Sequence, residues 1–181
     1  MEKKERKVRT VLFVCTGNTC RSPMAEALAK DYLAHHIGAK EPPQIISAGL
    51  STFPNAPASP QAREVMLKLG LDISAYRTRL LTKEVLEEAD LVLTMTAAHK
   101  HCVEVLLTQS SKAAKDIKVY LLKEYALGDK FSQSEELINN QDILDPFGQS
   151  VEVYGACAKE LSQYIRQAMD NFMDSSSDGE V

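Results

Sequence analysis

Cys15 and Arg21 bracket the stretch Cys15-Thr16-Gly17-Asn18-Thr19-Cys20-Arg21, followed directly by Ser22 and Pro23. A thiol, a run of loop amides and a guanidinium, in that order, can form a receptor for a tetrahedral oxyanion with a nucleophile at its floor. When such a loop curls beside the positive end of a helix, its unpartnered N–H groups converge and attract an oxyanion. Arg21 adds a planar two-pronged donor that matches two phosphate oxygens at once. Gly17 permits positive φ, and Asn18 tolerates left-handed geometry while its side chain can bridge the loop to itself. Thr16, Gly17, Asn18, Thr19, Cys20 and Arg21 are therefore the candidate phosphate-binding residues.

The same field acts on Cys15. A free thiol is only a few per cent ionised at pH 7, and a helix N-terminus with an arginine is expected to bring its pKa well below neutrality. Full ionisation adds only about 1.5 powers of ten in rate, whereas accelerations up to ~10²¹ are known for phosphate-ester hydrolysis. Most of the acceleration then falls to fixed donors around the equatorial oxygens, which means Arg21 and the loop amides. The expected course is attack on phosphorus, a phosphocysteine, and hydrolysis by water, with Ser22 hydrogen-bonding the sulfur as it leaves. A buried structural thiol is the competing reading of Cys15; the company of Gly17, Arg21 and Ser22 disfavours it.

Asp145, before Pro146, reads on local grounds as a turn-initiating aspartate. An ordinary aspartate is only about 0.1% protonated at pH 7. Acid work there requires a bound phosphate dianion nearby to favour its protonated form. It would then protonate the leaving oxygen or nitrogen and afterwards assist the attacking water.

These residues need a frame. Strand-like runs at 8–14, 44–47, 90–95 and 117–122 alternate with helical patterns, which predicts an α/β domain. It has a four-stranded parallel sheet with helices on both faces and the phosphate-binding loop after the first strand. In such sheets ligands sit outside the carboxyl ends of the strands, where Cys15 follows the first strand directly. Ser22 is the expected N-cap of the next helix and Pro23 its first residue, with Glu26 one position too late for a capping box. Its apolar stripe is Ala25, Leu28, Ala29, Tyr32 and Leu33. A second stripe runs Ala62, Val65, Met66 and Leu69 and ends at Gly70, a fitting C′ residue. A third comprises Tyr154, Cys157, Ala158, Leu161, Ile165, Ala168 and Phe172. Residues 42–43, 54–60 and 112–115 read as connections, and 123–141 as a polar approach to Asp145 containing a short helix. The expected organisation is a flexible N-terminus at 1–7, one domain at 8–172 and a disordered tail at 173–181.

The stretch from Cys15 to Pro23 resembles the phosphate-binding loop of the low-molecular-weight protein tyrosine phosphatase family, whose signature is Cys-x5-Arg-Ser close to the N-terminus. Ser47-Ala48-Gly49, Arg77-Thr78-Arg79-Leu80 and Asp145-Pro146-Phe147 resemble further segments of that family, so the likeness spans residues 8–172. It implies a cysteine-dependent protein phosphatase with Cys15, Arg21 and Asp145 as catalytic residues and Ser22 stabilising the thiolate. By the same analogy Arg77 and Arg79 orient the acid loop or substrate, although a solvated loop is the plainer reading of both. Threonine at position 19 and Asp-Pro-Phe rather than Asp-Pro-Tyr are similar to the family's bacterial protein arginine phosphatase branch. Thr19 and Phe147 thereby become candidate selectivity residues, since Thr19 has less apolar reach than the usual aliphatic residue and adds a hydroxyl. Phosphoarginine is then preferred, with phosphotyrosine the alternative. Arsenate reductase shares the fold and loop but needs further redox cysteines close together, and Cys102 has no near neighbour. A phosphate-sensing module without turnover is the remaining rival.

Composition narrows the rest. With 181 residues and 44% hydrophobic content the chain suits one domain with one core. A net charge of −4, a pI near 5.6 and a single short basic cluster at 3–7 argue against nucleic-acid binding. No apolar run is long enough for a membrane span, and the four cysteines lack the spacing of a disulfide framework. A cytoplasmic monomer acting on phosphorylated protein substrates, without cofactor or metal, is the expectation. Cys15-x4-Cys20 has no second ligand pair, and Arg21 would repel a cation. Cys20 is read either as a loop-packing thiol or as a redox partner that forms a disulfide with oxidised Cys15. His99, His101 and Cys102 read as ordinary surface and core residues, His35 and His36 as helix-end residues suited to the dipole, and Cys157 as core.

Overall fold

Alternate residues of the first strand, β1 (Thr10–Cys15), go to opposite faces of a sheet that is covered on both sides, and all six are buried. This is why the run reads as continuously apolar rather than alternating. The computed structural model describes residues 9–36, 41–108 and 117–175. Within them the chain continues through α1 (Arg21–His36), β2 (Gln44–Gly49), α2 (Pro60–Lys68), α3 (Lys83–Glu87), β3 (Leu91–Thr94), α4 (Ala97–Thr108), β4 (Lys118–Leu121), α5 (Leu122–Leu127), α6 (Asp129–Ser132), α7 (Glu135–Asn139) and α8 (Val151–Asp174).

All strand pairs are parallel, in the order β2-β1-β3-β4. The expected four-stranded α/β architecture is therefore the observed one. Val11 and Phe13 pack with Met24, Leu28, Val65, Leu122, Leu161 and Ile165 into the larger core, under α1, α2, α5 and α8. Leu12 and Val14 join Ile46, Leu86, Val92 and Val103 in the smaller core, under α3 and α4. The chain leaves β1 for β2 on one side and later reaches β3 on the other. Strand order thus reverses at the end of β1, which opens a crevice there.

Several local expectations shift. The third stripe on α8 is buried throughout, but Leu69 in the second is 55% exposed because α2 stops at Lys68. Gly70 at φ 83 supplies the left-handed residue that ends that helix. The 123–141 stretch folds as three short helices, with Phe131 the only buried residue of α6 and α7. The last helix runs through Asp174. The readings at 1–7, 112–115 and 176–181 fall outside the described residues.

Candidate active site

The loop after β1 spends its carbonyls outward. The oxygens of Cys15, Thr16, Thr19 and Cys20 accept from the N–H groups of Leu50, Ser51, Ser59 and Met24 at 2.9–3.3 Å. The N–H groups of Thr16, Gly17, Thr19 and Cys20 have no backbone acceptor among the described residues. That of Asn18 is aimed at the sulfur, 3.3 Å from Cys15 Sγ. The result is a ring of donors around a thiol, which is the cradle that the residue types called for.

Two details of the loop differ from the sequence reading. Asn18 takes the left-handed conformation, at φ 53, while Gly17 does not, so the glycine's conformational freedom is not what turns the chain. The crowded glycine is Gly49 at the end of β2. A Cβ there would stand 2.8 Å from the Thr16 carbonyl oxygen and 2.9 Å from Asn18 Cβ. Helix α1 begins at Arg21, not after Ser22, and the Cys20 carbonyl accepts its first bond, from Met24 N–H at 3.3 Å. Ser22 and Pro23 are thus inside the first turn, where proline's missing N–H costs nothing.

Freed from capping, the Ser22 hydroxyl lies 3.0 Å from Cys15 Sγ and accepts from Asn18 Nδ2 at 2.8 Å. Asn18 is fully buried. Its Nδ2 also reaches Ser47 Oγ at 3.1 Å, while its Oδ1 accepts from Tyr76 Oη at 2.6 Å and from the Arg79 N–H at 2.7 Å. Ser47 donates in turn to Glu26 at 2.6 Å. This network pins the left-handed residue to β2 and to the 76–79 segment. The side chains of Arg77 and Arg79 themselves are exposed.

Cys15 is 2% exposed. Burial pushes its thiol above the ordinary value, against the pull of the Ser22 hydroxyl, the Ser22 and Asn18 N–H groups and the Arg21 guanidinium. This direction runs against the expectation of a strongly acidified thiol, because in this arrangement the cost of burying a thiolate outweighs the pull of its donors. Arg21 is 3% exposed; its Nη1 donates to the Ile143 carbonyl at 3.0 Å and its Nη2 to Asp145 Oδ2 at 2.6 Å. Its buried Nε has no hydrogen-bond partner among the described residues. A guanidinium with a free inner donor beside a ring of free amides fits a multi-oxygen anion.

Asp145 makes the turn contact and also reaches the loop. Its Oδ1 accepts from the Phe147 N–H at 3.2 Å, as a turn-initiating aspartate does, while its Oδ2 faces Arg21. Cys15, Thr16, Gly17, Thr19, Cys20, Arg21, Asp145 and Phe147 together line a cavity of about 170 Å³. Asn18 does not line this cavity; it supports the site through its N–H on Cys15 Sγ and through the side-chain bonds just described. Cys20 Sγ lies 3.1 Å from the Tyr154 hydroxyl and 3.6 Å from that of Ser59. All four cysteines are unpaired, and among the described residues no cluster of three His, Cys, Asp or Glu could hold a metal ion.

One site residue escaped the sequence reading. His99, on α4, is buried and places Nε2 2.8 Å from the Thr16 hydroxyl, next to the nucleophile. Burial and the Arg21 charge bring it down to about 4, so the ring is neutral at neutral pH. Only its position on the first turn after the third strand, at the same sheet edge as Cys15, could have flagged it. Cys102 is exposed, and Cys157 is buried as expected.

A sheet that opens at β1 onto a thiol, a ring of amides, an arginine and an aspartate defines a phosphatase with a cysteine nucleophile. The chain belongs to the low molecular weight phosphotyrosine protein phosphatase family, which it matches over residues 10–177. A protein-arginine-phosphatase of Bacillus subtilis (strain 168) is 39% identical over 157 residues, 87% of this chain and 92% of that relative. Among solved structures, the YwlE arginine phosphatase from Geobacillus stearothermophilus superposes with a TM-score of 0.76 at 32% identity, covering 96% of this chain and 98% of that one. A serine-for-cysteine mutant of YwlE arginine phosphatase, carrying a phosphorylated active-site serine, gives 0.73 at 35% identity, with 91% and 95% covered.

Proposed function

We propose that the chain hydrolyses phosphorylated protein side chains through a phosphocysteine at Cys15, with phosphoarginine preferred over phosphotyrosine. The observation that carries this is that one cavity of about 170 Å³ is lined by Asp145, Phe147 and every loop residue from Cys15 to Arg21 other than Asn18. The Cys15 thiol loses its proton to solvent as Arg21 turns from Asp145 to the bound phosphoryl group; the thiolate then attacks phosphorus, the P–N bond to the guanidine breaks, and Asp145 gives its proton to the departing nitrogen. Water then attacks phosphorus, Asp145 takes its proton, and the thiolate leaves toward the Ser22 hydroxyl as inorganic phosphate is released. Arg21 and the 16–21 amides bind the equatorial oxygens in both steps. A dianion in the cradle competes with Asp145 for Arg21, and the displaced carboxyl is then the proton source.

Thr19 supports the arginine preference: it lines the cavity with a short side chain whose hydroxyl sits 3.5 Å from Cys20 Sγ, which leaves room for a flat polar group. The arginine phosphatases described above point the same way. Phe147 belongs to the arginine-branch pattern, but its ring, 71% exposed and lining the same cavity, can also stack on a phosphotyrosyl side chain, which is the ground for the second reading. Comparing kcat/KM on phosphoarginine and phosphotyrosine peptides decides between them. The native chain is expected to favour phosphoarginine, and Thr19→Ile to move the ratio toward phosphotyrosine by about tenfold. An unaltered ratio removes Thr19 as the selector.

A further inference from the structure

Lys123, the second residue of α5, is 2% exposed, an unusual place for an ammonium group. It is fully partnered. Nζ donates to the Asn140 carbonyl at 2.8 Å, the Asp142 carbonyl at 3.0 Å and Glu160 Oε1 on α8 at 2.7 Å, which uses all three of its protons. Burying such a charge costs several kcal/mol before its partners repay it, and an apolar residue of similar volume is commonly as stable. Stability is therefore a poor reason for a lysine here; what it holds is the better one.

Two of its three partners are main-chain carbonyls in the stem that leads to Asp145. That stem has little else to fix it from the rear, since α6 and α7 are mostly exposed and bury one side chain between them, Phe131. Ahead of the lysine's grip the stem is tied to the site: Ala97 N–H donates to Asp142 Oδ1 at 2.8 Å, Ile143 N–H to the Met95 carbonyl at 2.8 Å, and Arg21 Nη1 to the Ile143 carbonyl at 3.0 Å. Asp145 follows two residues later. When substrate takes Arg21, the Asp145 contact to Arg21 is given up, and the Lys123 bonds are among those that still aim the carboxyl.

We propose that Lys123 is a positioning residue for the reaction, holding the Asn140 and Asp142 carbonyls so that Asp145 stays within reach of the leaving group. This rests on Asp145 being the acid. Because acid help matters most when the leaving group is poor, the test compares aryl phosphates of low and high leaving-group pKa in the full chain, with Asp145→Asn alongside. Lys123→Met is expected to lose tenfold or more in kcat on a poor leaving group. The burst of phosphoenzyme from a good leaving group should stay within about threefold of native, and Lys123→Arg should recover much of the loss. Equal losses on both substrates, or none on either, overturn the proposal. If Lys123→Met does not fold, Glu160→Gln decides, with a smaller loss confined to the poor leaving group supporting the proposal and an unchanged profile overturning it. If Asp145→Asn shows no leaving-group dependence, the acid assignment itself falls and the role of Lys123 falls with it.

Discussion

At the scale of single residues, the cradle depends on where small and polar groups stand relative to the loop. Gly49 is the clearest case, since any Cβ there meets the Thr16 carbonyl and the Asn18 backbone N–H at 2.8–3.0 Å. Gly49→Ala is expected to cost about 1–3 kcal/mol of stability by overpacking and to lower kcat/KM at least tenfold by shifting the donor ring. Urea unfolding and steady-state rates on an aryl phosphate check both; native values for the variant would show that the contact is soft. Cys15 and Arg21 stood out by type and spacing, whereas Asp145 stood out only through the family resemblance, its local setting being that of a turn aspartate. Gly49 and His99 did not stand out, because their importance comes from close approach across the fold, which residue spacing does not encode.

At the scale of elements, the turn from β1 into α1 brings two thiols of one loop together with different surroundings. Cys15 is ringed by donors, whereas Cys20 packs against Tyr154 and Ser59. Mild peroxide is expected to yield a disulfide between Cys15 and Cys20 by condensation of a sulfenic acid with the second thiol. Cys157, pushed up to about 12 by burial, should stay reduced. Peptide mass spectrometry reads the linkage, and sulfonic acid at Cys15 with no bridge would count against it. The helix start was read two residues late because Ser-Pro is a strong local signal. Ser22 instead gives its hydroxyl to the sulfur, a tertiary demand that overrides the local preference. Before Asp145 the sequence suggested one short helix where there are three, because their polar faces carry no apolar period; the side chains they bury are Leu122, Lys123, Ala126 and Phe131.

At the scale of the whole molecule, the parallel sheet was legible because the central strands β1 and β3 are buried on both faces and read as nearly unbroken apolar runs. Strand order was not, since which side of β1 receives β3 depends on packing between layers. The same packing couples the site to acid stability. An unfolded histidine takes up a proton below about pH 6.5, whereas buried His99 resists until about 4. Between those values the unfolded state binds more protons, so stability should fall as pH drops through that window, by about 1.4 kcal/mol per pH unit at most. His99→Asn should flatten this loss in urea titrations near pH 5 and near pH 7, and an identical slope would mean that other groups carry it. The central claim, that Cys15 receives the phosphoryl group inside the amide ring, is tested most directly by rapid acid quench of the native chain during turnover, followed by mass analysis of the peptide containing residue 15. We predict one phosphoryl group on Cys15, absent when Arg21 is replaced by alanine. Sustained turnover with that cysteine unmodified throughout would contradict it.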